Sequence, residues 1–187
     1  MPWRDVPTFV KAHVAEFKPG EATRAAPLFL ILTAARSGEV RGAVWDEFDL
    51  ETGVWAIPGE RTKAKETHRV ALSKPALTLV KSLKEQKLHE MLVFPSPRGK
   101  VLSDMVLTSF LRRVTAKSDA PERVATAHGF RSSFRDWASE QGYARDLAER
   151  ALAHTVANRV EAPYHRTDLL EQRRPMMEAW AAYVCPG

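Results

Sequence analysis

Cysteine is almost absent from this chain: Cys185 is the single one in 187 residues. That excludes an internal disulfide framework and any zinc site built on paired cysteines, and it fits a reducing cytosol. Long apolar runs are missing too. A membrane span needs about 20 apolar residues, and the longest run here, LFLILTAA at 28–35, suits a buried helix instead. The opening MPWRDVP leads into no apolar segment of the kind a signal peptide carries. Repeats and low-complexity tracts are absent. So are HExxH and CxxC spacings, and His154 to His165 matches no common ligand spacing, so no metal site is expected.

What remains is an ordinary globular composition. Apolar residues at 44% can build a core, and charged residues at 27% argue against a disordered tail. The length suits one domain. A net charge of +5 favours a polyanionic partner only mildly. Periodicity predicts helices at 7–17, at 21–36 with a kink or restart at Pro27, and from a Ser37 cap to Val44. Short strands follow at 45–50, 54–57 and 68–72, the last two joined by the basic turn GERTKAKET. Further helices are expected at 74–89, after a Ser103 cap, at 128–141, at 144–153 and at 168–184, where Pro175 should kink or restart the helix. The fold class is therefore mainly α with a small three-stranded antiparallel sheet. In the 128–141 helix, Phe130, Phe134, Trp137 and Ala138 face the core, while His128, Arg131 and Arg135 fall on another face.

Certain residues invite a chemical reading. Arg36 ends a wholly apolar helix, and Arg131 sits among Phe130, Phe134 and Trp137. Most arginines lie on the surface, but a charge placed in apolar surroundings needs a partner or a ligand. A guanidinium never loses its charge and donates two parallel hydrogen bonds, which suits the anionic transition state of phosphoryl transfer. Tyr164 has polar neighbours (Glu161, His165, Arg166, Asp168), which fits plain core burial poorly. A phenol with a pKa near ~10 needs its proton removed or its anion stabilised before it can attack. His128 and His154 can donate to phosphate or exchange that proton, although His154 also suits a helix C-terminus. Lys63 lies in the turn between two strands, where it could protonate a leaving oxygen. Arg61, Lys63 and Lys65 could equally form a solvated basic turn that touches backbone phosphate. Glu39, three residues after Arg36, can hold that arginine or a histidine by a carboxylate bond.

TAARSGEVRGAVWDEFDLETGVWAIP, ERTKAKETHRVALS, HGFRSSFRDWASE and LAHTVANRVEAPYHRTDLLEQRRPMMEAWAAY together resemble the catalytic domain of the tyrosine recombinase (phage integrase) family. The likeness is to the prophage and genomic-island type and runs from about residue 8 to about 184. It implies that Arg36 and Arg131 clamp the phosphate, Tyr164 is the nucleophile, and Lys63 is the general acid. It further implies that His128 and His154 are the two histidine positions and Glu39 the supporting carboxylate. Arg61, Lys65, Arg135 and Arg166 are the expected DNA contacts. The implied reaction forms a 3′-phosphotyrosine and a free 5′ hydroxyl, then rejoins strands, with no cofactor, metal or ATP. The sequence departs from the family pattern at Ala71, where proline is common, and at Pro163, where a small residue is usual.

The expected partner is double-stranded DNA at attachment sites. The resemblance implies a tetramer on DNA for a full-length protein and a monomer for this chain alone, in the bacterial cytoplasm at the nucleoid. The expected organisation is a catalytic domain over 1–187 without the core-binding and arm-binding domains. Residues 168–184 are the candidate segment for exchange between subunits. The competing readings are a catalytically silent DNA-binding remnant, a type IB topoisomerase relative and an unrelated basic helical scaffold.

Overall fold

The computed structural model describes residues 1–153 and 167–186. Its centre is α2 (Ala22–Thr33), in which ten of twelve residues are buried, from Ala22 through the run Ala25 to Thr33. A helix apolar on all sides must be covered on all sides. The cover comes from α1 (Val6–His13), α3 (Ser37–Arg41), α4 (Lys74–Glu85) and the last helix, α8 (Leu170–Val184). Among these, α3, α4 and α8 pack directly on α2, and α1 packs on α8. Between α4 and α8 run α5 (Met105–Arg113), α6 (Gly129–Glu140) and α7 (Arg145–Ala151). α2 continues unbroken through Pro27, and α8 through Pro175, where a kink or restart was expected.

The sheet is a small antiparallel meander in the order β1 (Phe48–Asp49), β2 (Val54–Ile57), β3 (His68–Ala71). Phe48 faces Trp55 in register, and their rings stack at 5.3 Å. Ile57 pairs with His68 and Trp55 with Val70, so His68 and Val70 lie on one face, two residues apart. The first strand is shorter than the expected 45–50. Trp45–Glu47 forms a 3-10 turn because its polar groups have other partners. Trp45 donates its amide to Met91 O and its indole N–H to His89 O, at 2.9 and 3.1 Å.

Helix ends also differ from expectation. α2 stops at Thr33 because Ala34 turns left-handed, at φ +50°. Ser37 is the first residue of α3 rather than its cap. Arg36 holds the cap position, and its amide donates to the Glu39 carboxylate at 2.7 Å. Ser103 does not cap α5 with its side chain; α5 begins after Asp104. α6 buries Phe130, Phe134, Trp137 and Ala138 as its periodicity requires. Arg131 is buried with them rather than lying on an outer face.

α8 lies on the body of its own chain and buries Leu170, Met176, Met177, Trp180, Ala181 and Val184. Trp180 is fully buried against Phe134 and Trp137, and its indole N–H donates to Ile31 O at 2.7 Å. Trp180→Phe keeps an aromatic ring but orphans that buried carbonyl. Denaturant titration should show a loss of about 1–3 kcal/mol, and an unchanged midpoint would mean that the bond contributes nothing.

Candidate active site

Two arginines from distant parts of the sequence meet at the end of α7. Arg36 leaves the α2–α3 junction. Its guanidinium donates to Glu39 Oε1 at 2.9 Å and to Ala153 O at 3.0 Å. Arg131, on the first turn of α6, donates to Ala34 O at 2.6 Å and to Leu152 O. The two side chains thus grip consecutive carbonyls, Leu152 and Ala153. A helix leaves its last carbonyls without internal partners, and here they accept from these side chains. Ala34 and Ala153, which accept from Arg131 and Arg36, are both left-handed alanines ending helices, at φ +50° and +48°.

Arg131 is 3% exposed, so its charge sits inside the protein. Burial first, and the nearby Arg36 charge second, bring its pKa down to about 10, while Glu39 opposes the shift. Arg131 therefore remains a cation at neutral pH. Its Nε has no hydrogen-bond partner among the described residues. Arg36 is partly open, with 22% of its side chain accessible. Two of the five donors of its guanidinium are engaged among the described residues, by Glu39 and Ala153. The buried carboxylate of Glu39 binds both the amide and the guanidinium of Arg36. Any acceptor placed beside Arg36 meets a fixed, preorganised cation.

A second tie runs from this cluster to the basic turn. Arg61 donates to the Glu47 carboxylate and to Glu39 O. Glu47 is buried and also accepts from the Trp55 indole at 2.9 Å. Arg61 is thus occupied within the protein, not displayed as the basic turn alone would suggest. Lys63 and Lys65 are exposed. The turn carrying them closes tightly: a Cβ on Gly59 would stand 2.7 Å from Lys65 O. Thr62, buried beneath it, donates its hydroxyl to Glu66 O at 2.8 Å. His128 is exposed and occupies the cap position of α6. Arg135 is also exposed and pairs with Glu149 at 3.0 Å. His154, Tyr164 and Arg166 lie outside the described residues, as does Pro163.

A model of the phage integrase family matches residues 5–169. This chain belongs to that family. The integrase of Enterobacteria phage P4 is 35% identical over 200 residues, covering 98% of this chain and 45% of that protein. Prophage integrase IntA of Escherichia coli (strain K12) is 35% identical over 163 residues, covering 87% and 39%. The chain therefore spans less than half the length of these curated relatives. Its fold is shared with two solved structures. One is the XerH site-specific recombinase bound to its difH substrate in a pre-cleavage complex. Its TM-score is 0.66 at 18% identity, over 88% of this chain and 52% of that one. The other is a lambda integrase dimer bound to a COC′ core site. Its TM-score is 0.56 at 22% identity, over 88% and 58%. This is the catalytic-domain fold of the tyrosine recombinases. Among the described residues, no helix is long and apolar enough to cross a membrane.

Sequence reading of this integrase domain missed several residues around the site. His68, read only as part of a strand, is half-buried and lies within the fields of Arg173, Glu39 and Arg131. The available signal was its alternation with buried Val70. Arg150, on α7, donates to Thr167 O and to Asp146. Arg173, 1% exposed, donates to Arg69 O at 2.7 Å and pairs with Asp168. Neither arginine carried a local signal.

Burial, with Arg173 second, pushes the His68 pKa down to about 4. Between pH 6.5 and about 4 the unfolded chain binds a proton here that the folded chain refuses. Stability should therefore fall as pH drops through this window, by on the order of 2–3 kcal/mol from this group. Denaturant midpoints between pH 7 and 4 should show a shallower decline in His68→Gln; parallel curves would remove His68 as the cause. Arg61→Met should cost about 3 kcal/mol, because it leaves the buried Glu47 carboxylate without its cation. A change within error in urea titration would show that the tie is dispensable.

Proposed function

We propose that this chain is the catalytic domain of a site-specific DNA recombinase that cleaves and rejoins strands through Tyr164. Family membership supports the class of reaction. The observation that carries the residue assignment is the meeting of Arg36 and Arg131 beside a buried carboxylate, on the helix whose chain continues to His154 and Tyr164.

The Tyr164 oxygen attacks a backbone phosphorus and gives up its proton to a histidine, His128 or His154. Negative charge grows on the non-bridging oxygens, and Arg36 and Arg131 offset it with fixed donors. The 5′ oxygen leaves and takes a proton from Lys63, which is exposed on a turn held by Gly59 and Thr62. The products are a 3′-phosphotyrosine and a free 5′ hydroxyl. A 5′ hydroxyl of a second strand then attacks the phosphotyrosine and returns its proton to Lys63, and the departing Tyr164 oxygen takes its proton back from the histidine. One phosphodiester is exchanged for another through an ester of similar energy, so the reaction needs no ATP. The arginine pair takes the charge-neutralising part that a metal ion plays in other phosphoryl transfers. Lys65 and Arg166 are proposed backbone contacts. Arg135 would serve only by sharing itself with Glu149, and Arg61 by holding the turn rather than by touching DNA. Assembly as a tetramer on DNA and action at attachment sites belong to the same proposal.

The test is covalent trapping on a nicked duplex in EDTA, followed by denaturation and detection of a protein–DNA adduct. Wild type should form the adduct and Tyr164→Phe should not. Arg36→Lys and Arg131→Lys should each slow its formation by about 100-fold or more. No adduct from wild type, with binding retained, would favour a catalytically silent DNA-binding domain. Binding itself should weaken steeply with salt, as phosphate contacts release counterions; a flat log–log salt plot would remove the DNA reading.

A further inference from the structure

The turn that joins β2 to β3 holds its own shape. Thr62 donates its hydroxyl to Glu66 O at 2.8 Å and its amide to Gly59 O at 3.1 Å. The Arg61 amide donates to Pro58 O at 3.0 Å. None of these bonds fixes where the turn stands against the rest of the domain. Among the described residues, the side-chain hydrogen bonds that leave the turn for another element all come from Arg61. We propose that Arg61 is a positioning residue for Lys63: by bridging the Glu47 carboxylate and the Glu39 backbone, it sets the distance between that lysine and the arginine clamp. The proposal rests on reading Lys63 as the acid and Arg36 with Arg131 as the clamp.

Arg61 and Lys63 are two residues apart, so the anchor and the acid share one short stretch of backbone. Lys63 is exposed, and its reach is set by the backbone that carries it. One guanidinium nitrogen of Arg61 donates to Glu47 Oε1 and the other to Glu39 O at 2.5 Å. Glu39 meanwhile holds the Arg36 guanidinium through its carboxylate, at 2.9 Å. A single residue of α3 thus faces the turn through its backbone and the clamp through its side chain. Glu47 is fixed as well. Its second oxygen accepts from the Trp55 indole at 2.9 Å and from the Val44 amide at 3.4 Å. Both glutamates are buried, so neither end of the bridge is a loose surface group. Gly42 makes room for it: a Cβ there would stand 3.1 Å from Arg61 Nη2 and 3.6 Å from its Cζ. The two acceptors lie in fixed places, and a planar fork reaches both. The point charge of a lysine would reach one.

Two readouts on the full chain test the bridge. Arg61→Lys is the informative variant, because it keeps a cation for Glu47 and gives up the bond to Glu39 O. The first readout is amide hydrogen exchange by NMR, without DNA. The amides of Thr62 and Lys65 should exchange about tenfold faster or more, the weight of one hydrogen bond from a charged group, while the β2–β3 ladder holds. Unchanged turn amides in a folded Arg61→Lys would overturn the proposal. So would equal acceleration in turn and ladder, the mark of a merely structural arginine. The second readout is adduct formation on two nicked duplexes, one ordinary and one with sulfur in place of the scissile 5′ bridging oxygen. Sulfur leaves as a thiolate, whose acid has a pKa near ~8.5, and needs no proton from Lys63. Arg61→Lys should slow the oxygen substrate by about 10- to 100-fold, the scale of a misplaced group, and leave the sulfur substrate near the wild-type rate. Equal slowing on both substrates would overturn the proposal. Lys63→Ala should show the same split. If sulfur fails to rescue it, or if wild type forms no adduct, the underlying recombinase reading fails instead, and hydrogen exchange alone decides the bridge. If Arg61→Lys does not fold, Gly42→Ala replaces it. That variant keeps Arg61 but crowds Nη2 out of its seat, and the same outcomes decide.

Discussion

The burial of Arg131 is the constraint on which the rest of this structure depends. A guanidinium that is 3% exposed cannot be solvated by water. It must find acceptors inside the protein or lose several kcal/mol of desolvation energy. It finds Ala34 O and Leu152 O, the loose carbonyl ends of two helices. A charge that would disrupt an apolar core instead staples α2 and α7 to α6. Both helix ends have unmet acceptors and the arginine has unmet donors, so each satisfies the other.

Spacing the cations is the second requirement. Arg36 and Arg131 act on each other as like charges in a poorly solvated site, and like charges repel. Glu39 is the buried counter-charge that acts on both, while Arg173 pairs with Asp168. It fixes Arg36 directly and opposes the downward shift of Arg131. Glu39 is held in turn through its own carbonyl by Arg61, and Arg61 by Glu47. The result is an alternating series of acid and base that runs from the sheet to the α2–α3 junction. It makes the position of Arg36 depend on the base of the turn that carries Lys63. A side chain whose location is set by such a series needs little rearrangement when an anion arrives, which is the condition for electrostatic catalysis.

The same economy governs the chain on either side of residues 154–166. Before it, the Leu152 and Ala153 carbonyls at the end of α7 are held by Arg131 and Arg36. After it, Thr167 O accepts from Arg150, and Asp168 accepts from Arg69 at 2.7 Å and pairs with Arg173. α8 then anchors in the aromatic cluster through Trp180, on its own domain. Segment 168–184, the candidate for exchange between subunits, is thus docked in this chain alone from Leu170 onward.

Local pattern determined a great deal here. The helical periodicity of Phe130, Phe134 and Trp137 needed no tertiary context, because one apolar stripe allows one burial. The strand alternation around Trp55 and the turn around Gly59 were equally legible. The residue types and order that mark Arg36, Glu39, Lys63, His128, Arg131, His154 and Tyr164 were readable as a family pattern. Tertiary structure alone decided which cations are spent inside the protein. Arg61 and Lys63 stand two residues apart in one basic turn; the first is bound between Glu47 and Glu39 and the second is exposed. Helical phase grouped Arg131 with His128 and Arg135, yet Arg131 lies buried while those two are exposed. His68 looked like a strand residue and lies within the fields of charges from three other elements. The physical reason is common to all three. Periodicity reports which face of an element is apolar, and that is a local property. A hydrogen bond between Arg131 and Leu152, or between Arg36 and Ala153, depends on where two distant backbones cross, and no local pattern encodes that distance.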